Sequence, residues 1–168
     1  MNSQFLFEKL NSSKEFKEFK KENPKAYLCS CFFIIDFDDK NLENKYHIDY
    51  YIPESKKTFS FELENEIKLV PLELRDEKKV LERVSMKNHF DFDRIKELIM
   101  KEMEKKKINN KIQKMIFSLQ NLEGKDLLLG TVFISGLGLI KVNIQVDNME
   151  ITDFEKKSFF EMMKIVKK

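Results

Sequence analysis

Residues 27–37 read Y-L-C-S-C-F-F-I-I-D-F, the longest run in the chain that is apolar at both parities and rich in aromatic and β-branched side chains. Side chains alternate across a strand, so Tyr27, Cys29, Cys31, Phe33, Ile35 and Phe37 are expected on one side and Leu28, Phe32 and Ile34 on the other. A strand apolar on both sides needs neighbours at both edges and layers above and below. This run therefore predicts an interior strand of a larger sheet.

The flanking sequence supplies its neighbours. Asp38-Asp39-Lys40-Asn41 reads as a turn. Residues 45–52 then alternate, with Tyr46, Ile48, Tyr50 and Ile52 inward and His47 and Asp49 outward. After a turn at 53–57, residues 58–63 alternate again through Phe59, Phe61 and Leu63. Short polar turns between such strands predict an antiparallel meander. Residues 67–74 supply a fourth strand, placed at an edge by Pro71.

A helix over 3–22 precedes this meander. Ser12 with Glu15 forms a capping-box pattern, so the helix is expected to break and restart there, and Asn23-Pro24 ends it. A short helix fits 76–88. A longer helix is expected over 92–107, capped by Asp91 or Asp93, with Phe92, Ile95, Ile99 and Met103 on one face. Lys105–Lys107 in its last turn suit the helix dipole. Strands over 111–120, 127–135 and 138–146 follow, then a short strand at 149–151. Thr152 with Glu155 forms another capping box, opening a final helix that carries Phe159, Met162, Met163 and Val166.

The fold class expected is α+β: a mainly antiparallel sheet of six to eight strands with helices packed on it. The order suggests two helix-plus-meander units, residues 1–75 and 76–168, within one domain spanning 1–168.

From about residue 80 to residue 153, the helix-then-small-sheet order resembles the PepSY-like (cystatin-like) layout. In that family a closing strand carries I-D-A-x-T-G-E. Here Gln145-Val146-Asp147-Asn148-Met149-Glu150-Ile151 holds the comparable place, with the acidic turn but without the Thr-Gly pair. The resemblance implies a cystatin-like half. The family is associated with secretion, membranes and restraint of proteases, and no site residue carries over because no functional motif matches.

Chemistry is sparse. His47 and Asp49 share a strand face and could orient an imidazole for base catalysis, although an exposed cross-strand polar face explains them better. His89 precedes a helix start and reads as a surface residue or a partly buried N′ residue. Cys29-x-Cys31 is a poor chelate and too close for an unstrained mutual disulfide, so core thiols are expected and no metal or cofactor. Asp36-x-Asp38-Asp39-Lys40-Asn41 lacks the oxygen ligand and glycine of a calcium loop. Gly136-Leu137-Gly138 is a hairpin turn, not a phosphate cradle.

Arg75, Arg83 and Arg94 are the only arginines among 31 Lys and Arg, and the net charge is +2. Both facts disfavour a dedicated nucleic-acid surface. The N-terminus is not of signal-peptide form, and no apolar run is long enough to span a bilayer, so a cytoplasmic address and no membrane partner are expected. With 16 Phe and 4 Tyr and no catalytic motif, the chain reads as a non-enzymatic module. It would bind a peptide or protein at a groove or sheet edge, and is compatible with a homodimer. The alternative is a small-ligand binder or enzyme with a pocket between sheet and helix, lined by Tyr46, His47, Asp49, Tyr50 and Tyr51.

Overall fold

Ten residues of the apolar run, Tyr27–Asp36, form β1 in the computed structural model, which describes residues 1–73 and 80–166. β1 lies inside an eight-stranded antiparallel sheet with β2 (Lys45–Ile52), β3 (Lys57–Glu62), β4 (Lys68–Leu72), β5 (Ile112–Leu122), β6 (Lys125–Ile134), β7 (Gly138–Gln145) and β8 (Glu150–Ser158). The order across the sheet is β4-β3-β2-β1-β5-β6-β7-β8. Each half is a meander of sequential hairpins. The halves meet where β1 pairs with β5, setting Phe33 opposite Phe117 and Ile35 opposite Met115.

Four helices accompany the strands among the described residues: α1 (Ser3–Ser12), α2 (Lys14–Glu22), α3 (Phe92–Lys105) and α4 (Phe159–Val166). An α+β class with a mainly antiparallel sheet is thus what the chain adopts. The break between α1 and α2 falls one residue beyond the expected cap. Ser13 accepts from the Phe16 amide and donates to the Leu10 carbonyl, while Ser12 donates back to the Lys9 carbonyl. Asp91 caps α3, accepting from the amides of Asp93 and Arg94.

One face of the sheet carries the large core. Phe33, Ile48, Phe61, Met115, Phe117, Leu128, Val142 and Ile144 are each fully buried, and Leu6, Leu10, Phe19, Ile95 and Ile99 of the helices belong to the same cluster. Aromatic rings tie the elements together. Phe92 meets Phe33 at 5.0 Å between centroids, and Phe19 meets Phe61 at 5.2 Å. Such pairs each add about 0.5–1.5 kcal/mol beyond the area they bury.

β1 departs from strict alternation. Its pairing with β2 shifts between Leu28 and Ser30, which makes Cys29 the extra residue of a bulge. The bulge flips the parity of everything before it. Leu28 pairs with Tyr50 and packs on the core, whereas Tyr27 pairs with Tyr51 on the opposite face, their rings 5.5 Å apart. Tyr27 is therefore not in line with Cys31, Phe33 and Ile35 as simple alternation predicts. Nor is β1 equally buried on both sides: Cys31, Phe33 and Ile35 are buried, while Phe32 and Ile34 are half-buried.

Two expected helices differ. Residues 76–79 of the stretch 76–88 lie outside the described residues, and 80–88 run without helix. The segment is pinned instead. The Val84 amide donates to the Leu28 carbonyl, and the Ser85 and Met86 amides donate to the Asp126 carboxylate. The last helix begins only at Phe159, because residues 150–158 continue as β8 along the whole of β7.

Candidate functional site

β2 carries most of the residues that the sequence singles out, and its alternation divides them between two faces. Tyr46 and Tyr50 point to the core face. The Tyr50 ring lies 5.2 Å from Phe16 and 5.9 Å from Phe61, and Tyr46 lies 6.1 Å from Phe92. Burial pushes both phenols up, so neither ionises near neutral pH. His47, Asp49 and Tyr51 lie on the opposite face. The structure does not gather the five into one lining, and aromatic rings fill the space beside Tyr46 and Tyr50.

The opposite face holds a polar row across three strands. Asp49 pairs with Ser30 of β1 on one side and Ser60 of β3 on the other. All three are buried, with Asp49 only 5% exposed. Ser30 Oγ donates to Asp49 Oδ2 at 2.6 Å. Ser60 Oγ lies near enough to favour the carboxylate but completes no hydrogen bond. Burial raises the pKa of Asp49 above the ordinary carboxylate range, opposed by the two hydroxyls and by His47.

The imidazole of His47 is held by a carboxylate, but a different one from that expected. Its Nε2 lies 3.0 Å from Glu64 Oε1, and the same oxygen accepts from the Tyr46 amide. Glu64 stands just beyond β3, and it becomes a neighbour only through the β2–β3 hairpin. A spacing rule within one strand finds Asp49 and misses Glu64. The pair can hold and orient the ring, but no hydroxyl or thiol completes a hydrogen bond to it among the described residues.

The cysteines are buried and free. Burial, reinforced by the Asp49 carboxylate, pushes the Cys29 thiol up to about 12 and Cys31 well above its ordinary value. That shift favours the protonated thiol at neutral pH and disfavours nucleophilic chemistry at either position. Cys31 belongs to the core cluster, whereas Cys29 Sγ, in the bulge, donates to the Asp49 carbonyl at 3.4 Å.

A surface concavity that sequence reading missed lies between α3 and the β7–β8 turn. Its larger part, about 570 Å³, is lined by His89, Phe90, Arg94, Leu98, Lys101 and Met149 among others. A second part of about 450 Å³ continues past Leu98 and Met149 to Glu102, Lys105 and Ile151. Leu98 and Met149, shared by both, form an apolar ridge along one groove. Met149 is held at a φ of +53°, a left-handed turn position. His89, at one end, is exposed and stands 3.4 Å from Ser3 Oγ. The signal that could have found the groove is Leu98, an apolar residue off the buried stripe of α3.

The free edges of the sheet are blunt. β4 has five residues and carries Pro71, which removes one backbone donor. β8 is bulged and carries Glu150, Asp153, Glu155, Lys156 and Lys157. Both devices discourage strand addition.

No protein-family model matches the chain, and no curated protein matches it. Among solved structures, the chain is similar to a "putative lipoprotein" from Clostridium difficile, with a TM-score of 0.55 and 11% identity. The match covers 85% of this chain and 90% of that chain. At that identity the likeness shows a shared fold.

Proposed function

We propose that the protein is a non-catalytic binding module that takes a peptide or protein segment in the groove between α3 and the β7–β8 turn. The observation that carries this reading is the groove itself: Leu98 and Met149 beside a row of charged residues on α3, in a molecule whose sheet edges are blunt. Its volume is in the range of specific ligand sites, roughly 300–1,000 Å³. Arg94, Glu97, Lys101 and Glu102 line it from α3, so one wall carries charges of both signs, a pattern suited to a segment with both apolar and charged residues.

In this reading the sheet with helices packed on it is a frame of two helix-plus-meander units, residues 1–75 and 76–168. Kinship of residues 80–153 with PepSY-like domains fits the order of α3 and β5–β8 and the placement of Asp147 in the turn before β8. A cytoplasmic setting suits the two free thiols.

The test is selection of peptides on the immobilised protein, followed by affinity measurement on Leu98→Asp. Selected peptides should bind the wild type and lose at least about ten-fold in affinity on the variant, since one buried apolar anchor is worth about 1.5–3 kcal/mol. Peptides that bind Leu98→Asp equally well would contradict the groove assignment.

A further inference from the structure

We propose that the end of the sheet where the β6–β7 turn meets the start of α4 docks on an anionic lipid bilayer surface. The Phe159 amide donates to the Leu137 carbonyl at 2.9 Å, so the turn and the helix start form one tip. That tip leaves large apolar side chains in water: Leu137 is 63% exposed, Phe159 52%, Phe160 65% and Met163 43%. Neighbouring exposed apolar residues of this size on one small surface mark an interaction site.

The charge around the tip selects the partner. The chain leaving α3 returns to the sheet at the same end, where Asn110 Nδ2 donates to the Ser135 carbonyl and Lys111 exchanges hydrogen bonds with Ser135. Lys105, Lys106, Lys107 and Lys111 therefore stand on this side, joined by Lys156 and Lys164. Of the nearby acids, Asp38 pairs with Lys111 at 2.8 Å, Glu102 with Lys105 at 3.7 Å and with Lys106, and Glu155 with Lys157. Glu161 accepts from the Ser158 amide in the α4 cap, whereas Glu104 is exposed and forms no ion pair among the described residues. Lys107 and Lys164 form no ion pair among the described residues.

A phenylalanine tip with the unpaired Lys107 and Lys164 on the same side matches a membrane interface, where rings enter the headgroup region and cations meet anionic lipid. No helix among the described residues is long and apolar enough to cross a membrane, so the contact is interfacial. This surface lies apart from Leu98 and Met149 and does not depend on the groove reading.

The test is flotation of the full chain with phosphatidylcholine vesicles, with and without phosphatidylglycerol, at low and high salt. The expected result is flotation with the phosphatidylglycerol vesicles at low salt and release at high salt. Phe159→Ser/Phe160→Ser should abolish it, with circular dichroism confirming the fold. Lys107→Ala/Lys164→Ala, which leaves the rings in place, should weaken partitioning on the order of ten-fold. Absence of flotation, equal binding to both vesicle types, or unchanged binding by the double Phe variant would overturn the proposal. So would a wild-type dimer that ignores vesicles and dissociates on the Phe changes, which would assign the tip to a second copy of the chain.

Discussion

Asp49 and Asp126 are both buried carboxylates, at 5% and 3% exposure, yet their surroundings drive them in opposite directions. Burial dominates at Asp49 and raises its pKa. At Asp126 burial also opposes charge, but Ser85 Oγ, Asn121 Nδ2 and the amides of Ser85 and Met86 all donate to the carboxylate, and the net effect is a lowered pKa. The signs for stability follow by linkage. A raised folded pKa favours the folded state at low pH, and that advantage is lost as pH rises through it. A lowered one favours the folded state above the unfolded value and is lost as pH falls through the folded pKa. Asp49→Asn keeps an acceptor for Ser30 and gives Ser60 Oγ a donor. It should stabilise the protein at neutral pH by about 1 kcal/mol, with the gain shrinking as pH falls below the raised pKa. Urea titrations of both proteins across pH measure this, and a destabilised variant at neutral pH would show that the charge is needed. Asp126→Ala should cost about 2–4 kcal/mol by stranding the buried Asn121 amide and the part-buried donors of Ser85 and Met86. Hydrogen exchange should then speed up first at the Ser85 and Met86 amides; uniform speeding would contradict the anchoring role.

At the scale of elements, alternation made β2, β3, β5 and β7 legible, because each has one strongly apolar parity. β1 was legible as an interior strand, but its bulge was not. Cys29 carries no side-chain feature that marks an extra residue, and the shift appears only in the pairing with β2. The C-terminal region shows how two local signals compete. Thr152-x-x-Glu155 and Ser158-x-x-Glu161 are both capping boxes in form. The structure uses the second, with reciprocal bonds between Ser158 and Glu161, because residues 150–158 are taken by the edge of β7. Pairing partners decide this, and a single window of sequence does not contain them. Gly130 is similar. Inside β6 it looks like a weak strand residue, but it faces Phe117 across the β5–β6 pair, and a Cβ there would fall on the Phe117 ring. Gly130→Ala should therefore lower stability by about 1–3 kcal/mol despite its better strand propensity. Thermal unfolding of the variant reads the effect, and an unchanged midpoint would mean that the ring moves aside freely.

Across the whole molecule, the two meanders share one sheet, and β1 and β5 form the seam. The class and the inner strand could be read from residues 27–37, whose run of apolar residues demanded neighbours on both sides. The candidate site could not. His47 was visible, but its partner Glu64 lies across a hairpin. Tyr46 and Tyr50 were visible, but the period of the strand sends them into the core. The groove depends on bringing Leu98 and Met149 together from 51 positions apart in sequence, a juxtaposition created by the packing of α3 beside the β7–β8 turn. We propose that this groove, and not a sheet edge or the polar row of β2, is where a partner segment binds. Amide chemical-shift mapping of the labelled protein with a selected peptide tests it most directly. Shifts should concentrate at Arg94, Leu98, Lys101 and Met149, leaving His47 and Asp49 unmoved. Shifts running along β4 or β8 would contradict it.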